Sequence, residues 1–144
     1  CNLGLHIIDI TTPNNPLFAG CHDLFHVHDT HCVSYSGPDP DYADAEICAN
    51  SAEDRVELVD VSNKSSTASV ASIGYAQRGF VHQGWFTEDH RFLLVGDELD
   101  ERNFGVPTPT LAATQPTLMG PGASTRTCRP ATSSSVTPAM GCSC

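Results

Sequence analysis

Two stretches about 50 residues apart share one pattern, and that spacing points to a repeated supersecondary unit. Leu5-His6-Ile7-Ile8-Asp9-Ile10-Thr11 aligns with Val56-Glu57-Leu58-Val59-Asp60-Val61-Ser62 when Asp9 is set on Asp60. Both copies read apolar-x-apolar-apolar-Asp-apolar-Thr/Ser. Runs this short, rich in β-branched side chains and bounded by turn residues, predict strands rather than helices. A polar segment follows each copy, Thr11-Thr12-Pro13-Asn14-Asn15-Pro16 after the first and Asn63–Thr67 after the second. Proline fixes φ and asparagine tolerates left-handed backbone, so the first segment reads as a turn cluster. A short strand resumes at Leu17–Gly20, and a weaker one near Ser69–Ile73. Asp9 and Asp60 sit at strand ends before Thr or Ser, where a side-chain oxygen caps the turn; that reading stands ahead of a catalytic one.

A third strand-rich region is Gly79–Glu101. Phe80, Val81, Trp85 and Phe86 form one arm, Thr87-Glu88-Asp89-His90 a polar turn, and Arg91-Phe92-Leu93-Leu94-Val95 the returning arm of a β-hairpin. The chain then enters Gly96-Asp97-Glu98-Leu99-Asp100-Glu101, dense in carboxylates. Between the two repeats, Cys32-Val33-Ser34-Tyr35 and Glu46-Ile47-Cys48-Ala49 read as short strands around a Gly-, Pro- and Asp-rich loop, Ser36–Ala45. If they pair as a hairpin, Cys32 and Cys48 come close enough for a disulfide, provided their Cα atoms lie within about 7 Å.

Charge and cysteine content narrow the class. The formal charge is −10, and every acidic residue lies at or before Glu101. Such a surface repels phosphate, which makes nucleic acid and anionic membrane poor partners for the first hundred residues, with no nucleic acid expected, and favours cations. No apolar run approaches the roughly 18 residues of a membrane span. Seven cysteines without a CxxC pair point to an oxidising compartment with disulfides among Cys21, Cys32 and Cys48, not to a zinc ribbon. A chain that begins at Cys1 with no initiator Met reads as a fragment or processed product. The division expected is a strand-rich part, 1–105, and a Thr/Ser/Pro/Ala-rich tail, 106–144, with too little apolar surface to offset chain entropy and hence disordered. An O-glycosylated stalk and a shifted reading frame beyond Gly105 are the two origins such a composition admits.

Several motifs, taken in order, resemble the LVIVD-repeat proteins known as the choice-of-anchor B family. They are Ile7-Ile8-Asp9-Ile10-Thr11-Thr12-Pro13-Asn14-Asn15-Pro16, His28-Asp29-Thr30-His31-Cys32-Val33, Tyr35-Ser36-Gly37-Pro38-Asp39, Glu46-Ile47-Cys48 and Val59-Asp60-Val61. His82-Gln83-Gly84-Trp85-Phe86-Thr87-Glu88-Asp89 and Gly96-Asp97-Glu98-Leu99-Asp100-Glu101 continue the series. The resemblance implies an all-β, incomplete β-propeller of two to three antiparallel blades with further blades missing. It also implies a secreted or surface location and a binding or scaffold role without catalysis, toward a protein or other extracellular ligand.

Two clusters stand as candidate metal sites. His26, His28, Asp29 and His31, with His22 nearby, carry the imidazole and carboxylate donors that transition metals accept, and on a strand His26 and His28 would share a face. A metal-dependent enzyme built on the four histidines is the alternative to the scaffold reading, and a non-functional truncated product is a third. Asp39, Asp41 and Asp44, with Glu46, carry oxygen donors for calcium but lack the glycine and terminal glutamate spacing of an EF-hand. The structural alternative is backbone hydrogen bonding and solvation at both clusters. His82 beside Asp97, Glu98 and Asp100 forms a candidate acid/base pair, against structural ion pairing. No serine lies in a nucleophile-elbow context and no Gly-rich phosphate loop is present.

Overall fold

The computed structural model describes residues 1–105, and beyond them the backbone pairing of 110–113. Among the described residues the fold is nine strands in three antiparallel sheets, with one short α-helix and one 3-10 turn. In the first sheet β1 (Leu5–Asp9) pairs with β2 (Leu17–His22). The central sheet is a four-stranded meander of β3 (Asp29–Ser34), β4 (Glu46–Ser51), β5 (Val56–Asp60) and β6 (Ala68–Ile73). The third joins β7 (Val81–Phe86), β8 (Phe92–Asp97) and β9 (Thr110–Ala113). A helix, α1 (Asp100–Phe104), follows β8 and ends at Gly105, whose φ of 67° places it in the left-handed region that glycine tolerates as a helix terminator.

The repeat seen in the sequence is a repeat of geometry. Asp9 pairs with Leu17 and Asp60 with Ala68, and the register slips between Ile7 and Ile8 in one sheet and between Leu58 and Val59 in the other. One offset, the one that carries Asp9 onto Asp60, relates all of these positions. Asp9 Oδ1 accepts the Thr11 amide at 2.8 Å, and Asp60 Oδ1 accepts the Ser62 amide at 2.8 Å. The turns close alike: the Asn15 amide donates to the Thr12 carbonyl and the Ser66 amide to the Asn63 carbonyl. Both aspartates are therefore the turn caps that the sequence predicts.

Alternation along the strands directs the side chains into two cores. Leu5 and Ile7 of the first sheet pack with Cys48, Val59 and Val61 of the central sheet. Ile47, Ala49, Val56 and Leu58, on the opposite face of the central sheet, pack with Val81, Phe86, Leu93 and Val95 of the third. β4 and β5 are thus buried on both faces. Gly20 is required by close approach, because a Cβ there would lie 1.7 Å from the Lys64 carbonyl oxygen.

Among the described residues two disulfides fasten the strands. Cys32 and Cys48 are directly opposed in the β3–β4 register with Cα atoms 4.0 Å apart, the pairing anticipated from the hairpin. Cys21 instead bonds to Cys1, tying the start of the chain to β2. Four residues of the segment expected to lack structure, Thr110–Ala113, pair with β8 as β9. The rest of that expectation, and the stalk and reading-frame alternatives, concern residues outside those described. No helix among the described residues is long and apolar enough to cross a membrane.

Candidate functional site

The acid/base candidates fall at the joint between β7, β8 and the start of α1, and only one of the carboxylates faces the histidine. His82 Nε2 lies 3.9 Å from Glu98 Oε2, with both side chains substantially exposed. The pair lines an open groove of about 350 Å³ with Gln83, Gly96 and Asp97. A second groove of about 350 Å³ shares Gln83 and Gly96 and continues along Trp85, Leu94 and Asp29. The His28 ring sits 4.6 Å from the His82 ring and meets Phe80 edge-on at 5.1 Å.

Asp97 belongs to the framework. Its carboxylate accepts the amides of Gly79 at 2.8 Å and Phe80 at 2.7 Å, and those of Leu99 and Asp100 at 3.0 Å each. The Tyr75 hydroxyl donates to it at 2.7 Å. Burial pushes the Asp97 carboxyl up, but the Phe80 amide, the Tyr75 hydroxyl and the other amides outweigh it and hold the pKa below the usual range. Burial, then the Asp97 hydrogen bond, pushes the Tyr75 phenol upward. Asp97 is thus an ionised latch that starts β7, ends β8 and receives the first turn of α1. Asp100 is buried and accepts the Glu101 amide at 2.7 Å. Among the described residues no hydrogen bond joins His82 to a Ser, Thr or Cys side chain, so this joint offers an imidazole beside a carboxylate but no activated nucleophile.

The histidine cluster is dispersed. Residues 23–28 form a connection rather than a strand, so His26 and His28 do not share a strand face as expected. His26 Nδ1 lies 2.8 Å from Glu53 Oε1 at the surface. His31, on β3, accepts the Phe86 amide at Nδ1 (3.1 Å) and stacks on Trp85 at 3.8 Å between ring centres. Burial and the neighbouring His90 hold the His31 pKa below its ordinary value, with Asp29 opposing them. Among the described residues no group of three or more His, Cys, Asp or Glu side chains converges to hold a metal. Among the described residues His26, His28, Asp29 and His31 are thus not part of such a group.

The acidic loop is likewise committed to its own backbone. Asp39 is buried, accepts the Asp41 amide at 3.1 Å and opens a 3-10 turn over Pro40–Tyr42. Asp44 takes a positive φ of 63°, and its amide donates to the Tyr35 carbonyl at 2.9 Å. Asp41 and Asp44 are exposed, and Glu46 pairs with Lys64. Among the described residues Asp39, Asp41 and Asp44 are likewise not part of a group of three or more converging donors.

The most buried polar constellation lies elsewhere. His22 Nε2 is 3.0 Å from Glu57 Oε1, and His22 Nδ1 is 3.0 Å from Thr67 Oγ1. Glu57 and its cross-strand neighbour Asn50 are fully buried, and Thr30 Oγ1 donates to Asn50 Oδ1 at 2.8 Å. The order hydroxyl, imidazole, carboxylate is that of a catalytic triad, but the Thr67 hydroxyl donates to the Cys21 carbonyl at 3.2 Å and is held in place. The unit is a structural clasp between the first and central sheets. Its sequence signal is Glu57 itself, the one carboxylate in the run Val56–Val59, where burial demands a partner.

No family model, curated protein or solved structure matches this chain.

Proposed function

We propose that the chain is a non-catalytic binding or scaffold module of the LVIVD-repeat propeller type, working outside the cell or at its surface. The observation that carries this reading is the repetition of register, bulge and aspartate-capped turn in β1–β2 and β5–β6. A unit repeated with that fidelity is an architectural device, one that stacks sheets and leaves their connecting loops free to recognise a partner. The two disulfides support an oxidising location. The polar groups that chemistry would need are instead spent on structure: Asp97 on five donors, His22 on Glu57 and Thr67, and His31 on a backbone amide.

Elemental analysis of the purified chain after exhaustive dialysis tests this reading against a metal-dependent enzyme. The scaffold reading predicts no stoichiometric transition metal. A stoichiometric metal that is lost in both His28→Ala and His31→Ala would contradict it.

A further inference from the structure

Each repeated unit has a front and a back. Leu5 and Ile7 pack forward onto the central sheet, and their counterparts Val56 and Leu58 pack forward onto the third. Val59 and Val61 pack backward onto the first sheet and are 0% and 1% exposed. Their counterparts in the first sheet are Ile8 and Ile10, yet these are 44% and 69% exposed, and Phe18 on β2 is 64% exposed. The third sheet shows the complementary arrangement. Phe86 and Leu93 face back into the core, while Trp85, Phe92 and Leu94, on the other side, are 65%, 36% and 39% exposed. Among the described residues one back and one front are therefore uncovered. Such fronts and backs already meet twice within the chain.

We propose that a second copy of this chain covers them, with the Ile8–Ile10–Phe18 face of one copy seated on the Trp85–Phe92–Leu94 face of the next. The contact continues an interface the chain itself defines, since the positions of Ile8 and Ile10 are buried in the other copy of the unit, where the first sheet lies behind Val59 and Val61. The strand edges agree: β5 pairs on both sides, whereas its counterpart β1 pairs only with β2 among the described residues. Two different faces meet, so the contact is heterologous and builds rings or open chains rather than a two-fold dimer. The proposal rests on the repeat and does not depend on what the loops bind or on the outcome of the metal analysis.

Sedimentation of the full chain with its disulfides intact tests it, using Ile10→Glu to block the back and Leu94→Glu to block the front. The wild-type mass should rise with concentration beyond two chains, while each variant alone stays at one chain. An equal mixture of the two variants should form a two-chain species and stop there, because each retains one intact face. A wild-type chain that stays single at every concentration overturns the proposal. So does a mixture that behaves like either variant alone, or association that persists in both single variants. Thermal melts check that each variant is folded; if one is not, Ile8→Glu and Phe92→Glu address the same two faces.

Discussion

β1 and β5 carry one motif, adopt one register and close on equivalent aspartate-capped turns, yet they live in different surroundings. In β5 every side chain from Val56 to Val59 is buried, whereas in β1 only Leu5 is. The difference teaches that the motif specifies local geometry, while burial is conferred by whichever sheet lies on either side. Glu57 shows the consequence most sharply. Its counterpart, His6, is exposed and meets Phe18 edge-on, but Glu57 has a sheet behind it and requires His22.

The largest expected effect follows from that pair. Removing one partner of a buried hydrogen-bonded pair leaves the other unsatisfied, so Glu57→Ala should cost about 3 kcal/mol in urea unfolding. His6→Ala, at the matched position, should leave the unfolding midpoint unchanged. Equal losses at the two sites would mean that β1 and β5 do not differ in surroundings. Next in size is truncation of the matched apolar pair. Val59→Ala should cost about 2 kcal/mol, through lost burial and a residual cavity. Ile8→Ala should cost less than about 1 kcal/mol in dilute protein, since much of its surface is already in water.

Smaller effects test what the two strands share. Asp9→Ala and Asp60→Ala each remove one capped turn, and the two should lower the melting temperature by similar amounts. A large effect at Asp60 alone would show that the caps are not equivalent.

Acid probes the other side of the central sheet. His31 must stay unprotonated at Nδ1 to accept the Phe86 amide, and its pKa is held low in the folded state. A depressed pKa means that its contribution is complete above the unfolded value of about 6.5 and is lost as pH falls through the folded value. Trp85, the single tryptophan, stacks on His31, so its fluorescence should change in that window and His31→Gln should abolish the change. Asp97 follows the same sign at lower pH: its contribution is present above about 3.9 and lost as pH falls through its lowered folded value.

Much of this fold was legible in the sequence because it is local. The hairpin arms at Val81–Phe86 and Phe92–Asp97, the repeat and the Cys32–Cys48 opposition all follow from alternation and turn residues. The partner of Cys21 was not legible, because Cys1 reaches it across the first sheet. Neither was α1, whose five residues carry no periodicity and begin where Asp97 gathers the amides of Leu99 and Asp100. The candidate sites were the least legible. Spacing placed the histidines within a few residues of one another, but the fold sends His22 into the clasp with Glu57, His26 to the surface and His31 against Trp85. Adjacency along an irregular connection says little about direction, whereas adjacency along a strand says a great deal.

The most direct test of the account is amide hydrogen exchange of Leu5–Asp9 against Val56–Asp60 in dilute protein. β5, paired on both edges and covered on both faces, should exchange only through global unfolding. β1, with the same motif but, among the described residues, one partner strand and one covered face, should exchange through smaller local openings. Equal protection of the two segments in dilute protein would contradict the claim that neighbours, rather than the motif, set their burial.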